Sequence, residues 1–156
     1  MSSRIGKLKA EDEMKWIVVA GPSNTGKTYT LAEVVIELTK RGGVLVPPSA
    51  MPVWNAVVES YYDATYELSY ASKKIFVVTG GDSPWDVESG FDKAKAAKAD
   101  VLVSASRSKS GSGHLAAINA RISQSVEPYF IAALEHDKPL QPRIRANRVG
   151  QIIDLI

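Results

Sequence analysis

The 156-residue chain has 45% hydrophobic and 23% charged residues and a formal net charge of +2, the balance of one globular domain rather than of a disordered tail or a multidomain assembly. With no cysteine and only two histidines, His114 and His136, disulfides, thiolate metal sites and cysteine nucleophiles are excluded, and a multi-histidine metal site is disfavoured. No apolar run approaches the ~20 residues of a membrane span, and residues 1–15 mix both charges without a signal-peptide core, so the expectation is a cytoplasmic, soluble protein with no membrane partner.

In chain order, residues 1–13 read as a flexible polar segment and 14–156 as one domain. Lys15 to Ala20 is a short apolar run closed by Gly21-Pro22, the pattern of a strand buried on both faces. Leu31, Val34, Val35 and Leu38 then recur at helical spacing over 27–41, with Gly42-Gly43 as the stop. Val44 to Val46 reads as a second strand. Met51, Trp54, Val57, Val58 and Tyr61 predict a helix over 51–62. Tyr66, Leu68 and Tyr70 alternate as in a half-wet strand, and Ile75 to Val78 is a third buried strand ended by Gly80-Gly81-Asp82.

Ser83-Pro84 with Asp86 three residues after the serine is a helix start, and the helix is expected to run to about Ala99. Val101 to Val103 is the next strand, followed by a loop from Arg107 to Gly113. Leu115, Ile118 and Ile122 predict a further helix, Tyr129 to Leu134 a strand, and Val149 to Ile156 a terminal strand. Strand–helix alternation predicts an α/β three-layer sandwich around a mainly parallel central sheet.

One motif stands out. Gly21-Pro22-Ser23-Asn24-Thr25-Gly26-Lys27-Thr28 matches G-x-x-x-x-G-K-[ST], with a buried strand before it and an amphipathic helix after it. Glycines let such a loop curl so that successive N–H groups point at phosphate oxygens, and the helix N-terminus adds partial positive charge. Lys27 would bring a full charge to the β and γ phosphates, and the Thr28 hydroxyl would ligate Mg²⁺. These eight residues resemble the Walker A motif of the P-loop NTPase superfamily. The resemblance implies a P-loop type fold binding a nucleoside triphosphate with Mg²⁺. The nucleotide-binding residues it implies are Gly21, Ser23, Asn24, Thr25, Gly26, Lys27, Thr28 and the adjoining Tyr29. The guanine-reading pattern N-K-x-D does not occur, which favours ATP.

The resemblance also implies an acid at the end of a second apolar strand. Asp82, after Ile75 to Gly81, is the expected Mg²⁺ acid, with capping of the next helix as its alternative role and Glu67 as a substitute. Ser83 stands where many hydrolysing members carry a glutamate base. Glu88 and Asp86 are the substitutes, and turnover is expected to be slow.

The charge is uneven: residues 107–156 hold seven Lys/Arg against four Asp/Glu, whereas 1–106 hold 12 against 13. Ser104, Ser106 and Arg107 are expected beyond a strand's carboxyl end, where ligands of open α/β sheets bind. Arg107 is the second catalytic candidate beside Lys27. The segment Ser-Ala-Ser-Arg loosely resembles the sensor segment of DNA-pumping ATPases, whose subunits form rings around DNA. The loop 107–114 is a candidate lid or phosphate-contacting loop. Arg143 and Arg145 are expected on one strand face, as candidate arginine fingers in cis or from a neighbouring subunit. Aromatics do not interleave with these arginines in sequence, which argues against a stacking platform, and Trp16, Trp54 and Trp85 are expected in the core or at its edge. His114 and His136 are expected as surface or cap residues.

The leading expectation is an ATPase hydrolysing Mg-ATP slowly or on stimulation by DNA or neighbouring subunits. Nucleic acid would bind through the basic region 107–148, and a homo-oligomer is a candidate assembly. A small-molecule or nucleotide kinase and an ATP-dependent switch with little turnover are the alternatives.

Overall fold

The computed structural model describes residues 13–21, 26–81, 83–107, 113–122, 126–133 and 141–156. In chain order these form β1 (Met14–Gly21), α1 (Lys27–Lys40), β2 (Val44–Leu45), β3 (Trp54–Asn55), β4 (Ser60–Tyr61), β5 (Thr65–Tyr70) and β6 (Lys73–Val78). They continue with α2 (Pro84–Ala96), β7 (Val101–Arg107), α3 (His114–Ile122), β8 (Val126–Ala132) and α4 (Gln141–Leu155).

The main sheet has the order β2-β5-β6-β7-β1-β8. β6, β7, β1 and β8 run parallel, whereas β5 is antiparallel to β6 and β2 to β5. The fold is therefore α/β with a mostly parallel, mixed sheet. β1 lies between β7 and β8, and its residues Trp16 to Val19 are fully buried, as its unbroken apolar run requires. Alternate residues feed two cores. Ile17, Val19, Val101, Val103 and Ala105 pack with Leu31, Val35 and Leu38 of α1 and Ile152 of α4. Trp16, Val18, Leu102 and Phe76 pack on the other face with Val87 and Phe91 of α2 and Ile118 of α3. Helices cover both faces, as the crossover rule demands.

β5 and β6 join through Ala71-Ser72, both at positive φ (52° and 63°), the requirement of a two-residue type I′ turn. That turn fixes the register from Tyr70↔Lys73 to Thr65↔Val78, and it carries Asp63 and Ala64 to the carboxyl end of β6. There the Thr79 N–H donates to Ala64 O at 3.0 Å, and the Ala64 N–H donates to Thr79 Oγ1 at 2.8 Å.

Four expectations are corrected. Residues 51–62 form no helix but carry the β3–β4 hairpin, with Trp54 paired to Tyr61. An Asn55 Oδ1 bond from the Val57 N–H (3.0 Å) supports a turn there instead. Of the apolar residues expected on one helical face, Met51, Trp54, Val57 and Val58 all retain 45% or more of their surface. The C-terminal segment is α4, not a strand, because Val149, Ile152 and Ile153 recur at helical spacing against α1 and β1. Lys15 Nζ donates to the Leu155 carbonyl at 2.6 Å, satisfying an end group of that helix. β7 does not end at Val103 but runs through Arg107, with Ser104 and Ser106 inside it. In α3, Leu115 points outward while His114 is buried.

The start of α2 matches its sequence signature. Ser83 accepts from the Asp86 N–H and Asp86 accepts from the Ser83 N–H, a capping box with Pro84 in the first turn. Among the described residues, no helix is long and apolar enough to cross a membrane.

Candidate functional site

The turn from β1 into α1 needs glycine at both ends for different reasons. A Cβ at Gly21 would lie 2.1 Å from Ala133 O, because the chain leaving β8 crosses directly beside it. Gly26 has φ +79°, a left-handed conformation that other residues adopt at a cost of roughly 1–2 kcal/mol. From Gly26 the chain enters α1, and Thr30 N–H closes the first turn on Gly26 O at 2.9 Å. The first turn of α1 holds no acidic residue, so the positive end of its dipole is not neutralised from within. Lys27 reaches back so that Nζ donates to Gly21 O at 3.0 Å. Ser23, Asn24 and Thr25 lie outside the described residues, as does Asp82.

The Thr28 hydroxyl donates to Asp63 Oδ1 at 2.9 Å and lies 3.4 Å from Thr79 O. Asp63 was not among the sequence candidates. It precedes a strand, follows a misassigned helix, and reaches the site only through the β5–β6 register. Its signal was present in the hairpin arithmetic, which sets Asp63 opposite Gly80; a Cβ on Gly80 would stand 3.6 Å from the Asp63 carboxylate. Thr28, Asp63 and the Thr79 carbonyl offer oxygens only, the donor type that suits Mg²⁺. Among the described residues no group of three or more His, Asp or Glu gathers to hold a metal alone, so an ion here would depend on phosphate oxygens and water.

These residues open onto a cavity of about 1060 Å³ at the carboxyl end of β1, β6 and β7. Lys27, Arg107, Arg145 and Arg148 all line it, together with Thr28, Tyr29 and Asp63. Cations from three distant parts of the chain thus share one concave surface. Arg148 is buried, and that burial, with the nearby charge of Arg145, holds its pKa below the ordinary arginine value. An anion in the cavity would favour the charged form that burial disfavours.

The remaining candidates separate. Arg107 ends β7 on the cavity side. Ser104 and Ser106 do not reach it: Ser104 Oγ accepts from Trp16 Nε1 at 2.9 Å in the opposite core, and Ser106 is fully buried with its hydroxyl donating to Arg107 O. Their expected phosphate-sensing role is corrected accordingly. Arg143 and Arg145 do not share a face, because two residues are about 200° apart on a helix; Arg145 and Arg148, one turn apart, do. Asp86 is engaged in the capping box, and Glu88 pairs with Arg121 at 3.4 Å on the α2–α3 side of the sheet. Glu67 lies mid-strand, opposite Phe76.

His114 is buried with Nε2 2.9 Å from Gly81 O, linking α3 to the end of β6 rather than sitting at the surface. His136, Lys109 and Lys138 fall outside the described residues, as do positions 108–112 of the expected lid. Trp16 is in the core as expected, but Trp54 and Trp85 are exposed. Arg145 stacks over the Tyr29 ring at 3.6 Å, so arginine and aromatic groups separated in sequence do meet in space.

No protein-family model, curated protein or solved structure matches the chain.

Proposed function

We propose that the chain is a P-loop nucleotide-binding domain that binds ATP with Mg²⁺ and hydrolyses it slowly unless a partner stimulates it. The observation that carries this reading is the turn between β1 and α1. A left-handed Gly26, an N-terminal helix turn without acids and Lys27 folded back onto Gly21 form the anion-binding end of a cavity at the carboxyl edge of a parallel sheet. Lys27 neutralises phosphate charge, and Arg107, Arg145 and Arg148 add cations where negative charge would accumulate.

Thr28 and Asp63 are the groups that would hold Mg²⁺, directly or through water; when bound, the ion neutralises phosphate charge and orients the transferred group. Asp82 remains a second candidate for that acid. The chain's own contribution is to position the phosphates, to offset their charge and to cover them from one side with α4. Phosphoryl transfer is dominated by such positioning and electrostatics.

A second reading, an ATP-dependent switch with little turnover, is favoured by one observation. Asp86 and Glu88, the carboxylates considered as bases, are occupied by Ser83 and Arg121. Phosphate release separates the readings. Release that rises with DNA or protein concentration supports a stimulated ATPase. ADP formed only with a small acceptor and without free phosphate supports a kinase, and tight Mg-ATP binding with negligible turnover supports the switch. Lys27→Ala tests the shared premise by calorimetric binding of Mg-ATP, which this reading expects it to abolish.

A further inference from the structure

We propose that the aromatic wall formed by Tyr29, Trp54 and Tyr61 is the seat of the nucleobase, so that the β3–β4 hairpin holds the nucleoside end while residues 26–28 hold the phosphates. This deepens the nucleotide reading above and rests on it. The three rings pack edge to face in every pairing: Tyr29–Trp54 and Tyr29–Tyr61 at 5.4 Å between centroids, and Trp54–Tyr61 at 5.1 Å. Trp54 keeps 45% of its surface exposed while lining the cavity. A large ring left open beside a concave, cation-lined space is suited to a planar aromatic ligand.

The wall is held in place from both sides. Tyr29 directly follows Thr28 on α1, so its position relative to the phosphate end is fixed by helix geometry. Trp54 and Tyr61 are a cross-strand pair, the Tyr62 N–H donates to Val53 O at 3.0 Å, and the Tyr61 hydroxyl reaches Glu33 of α1 at 3.4 Å. Arg145 covers one face of Tyr29 at 3.6 Å, tying α4 to the same wall. Asn55 also lines the cavity; its Oδ1 accepts from Val57 N–H, which makes its Nδ2–H₂ group the part of the side chain able to meet a base edge.

A base of single-stranded nucleic acid would also stack on such rings. The mononucleotide is favoured because Tyr29 adjoins Thr28 and the wall lines the same cavity as Lys27 and three arginines.

The experiment compares calorimetric binding of Mg-ATP, of Mg-tripolyphosphate, which has the phosphates without the base, and of a single-stranded oligonucleotide. The proteins are the parent chain, Trp54→Ala, Trp54→Phe, Tyr61→Leu and Lys27→Ala. Trp54→Ala is expected to weaken Mg-ATP about tenfold or more, the loss typical of one stacking ring. It should leave Mg-tripolyphosphate binding unchanged, which also shows that the variant is folded. Trp54→Phe should restore most of the affinity, and Tyr61→Leu should behave like Trp54→Ala. Lys27→Ala should lose both ligands. Unchanged Mg-ATP affinity in both Trp54→Ala and Tyr61→Leu would overturn the proposal, as would an equal loss for tripolyphosphate. A loss confined to a single-stranded oligonucleotide would overturn it in favour of a nucleic-acid surface. Retention of both ligands by Lys27→Ala would instead overturn the nucleotide reading itself.

Discussion

Asp63→Asn isolates the charge that the structure sets beside Thr28. Asparagine keeps the size of the side chain and an oxygen that can accept the Thr28 hydroxyl bond, now 2.9 Å long, so geometry is preserved while one negative charge is lost. Asp63 is exposed, and the β5–β6 end is held by bonds between Ala64 and Thr79, one backbone to backbone and one to the Thr79 hydroxyl, that do not involve its carboxylate. Stability should therefore change by no more than about 0.5 kcal/mol. The functional effect should be larger. Loss of a carboxylate that holds a metal, even through water, typically costs about 10–100-fold in metal affinity. That is about 1.4–2.7 kcal/mol. The assay is ATP affinity measured across a Mg²⁺ titration, with thermal melts as the folding control. The Mg²⁺ concentration at half effect should rise 10–100-fold, while Mg²⁺-free ATP binds Asp63→Asn at least as well as the parent, since a charge repelling the phosphates is gone. An unchanged Mg²⁺ response would refute the reasoning. If Asp82→Asn showed the rise and Asp63→Asn did not, the acid would be Asp82.

Other consequences are equally direct. Ser104→Ala strands the buried Trp16 indole N–H and should destabilise the fold by about 1–3 kcal/mol, read by denaturant melts, without altering Mg-ATP affinity; a selective loss of affinity would restore Ser104 as a phosphate contact. Gly26→Ala meets open space and should cost only the roughly 1–2 kcal/mol of a left-handed alanine, whereas Gly21→Ala drives a Cβ into Ala133 O and should cost more; equal melts for the two would contradict the packing. Burial raises the Tyr66 pKa above the usual tyrosine value near 10, so its contribution to stability is complete below that pH and fades as pH climbs through the raised value. Tyr66→Phe should accordingly move the alkaline unfolding midpoint upward, and an unshifted midpoint would count against burial as the cause.

How far the sequence carries the fold depends on what each segment's pattern encodes. β1 and α1 were legible because a strand buried on both faces and a helix packed on one have different periods, and a glycine motif lies between them. The 51–62 segment shows the weakness of the same tool. Its apolar spacing fits a helix, yet periodicity says nothing of whether a face is buried, and here the rings gather around Tyr29 instead. In α4 the alternation of Arg143, Ile144 and Arg145 imitates a strand, while the helical spacing of Val149, Ile152 and Ile153 decides the outcome through packing on α1.

The site divides in the same way. Lys27 and Thr28 declare themselves in a local motif. Asp63, Arg145 and Arg148 reach the cavity only through a hairpin register and a helix that returns across the sheet, which no local pattern records. Ser104 and Ser106 were expected at the phosphates because polar residues at the end of a buried strand lie where ligands of open α/β sheets bind, although a tryptophan on the adjacent strand satisfies one of them inside the core.

The central claim is that the β1–α1 turn holds the phosphates of a nucleoside triphosphate through Lys27. Calorimetric titration of Mg-ATP into the parent chain and into Lys27→Ala tests it most directly. Saturable binding to the parent and none to the folded variant is the predicted result. Equal Mg-ATP affinity in the two proteins would contradict the account.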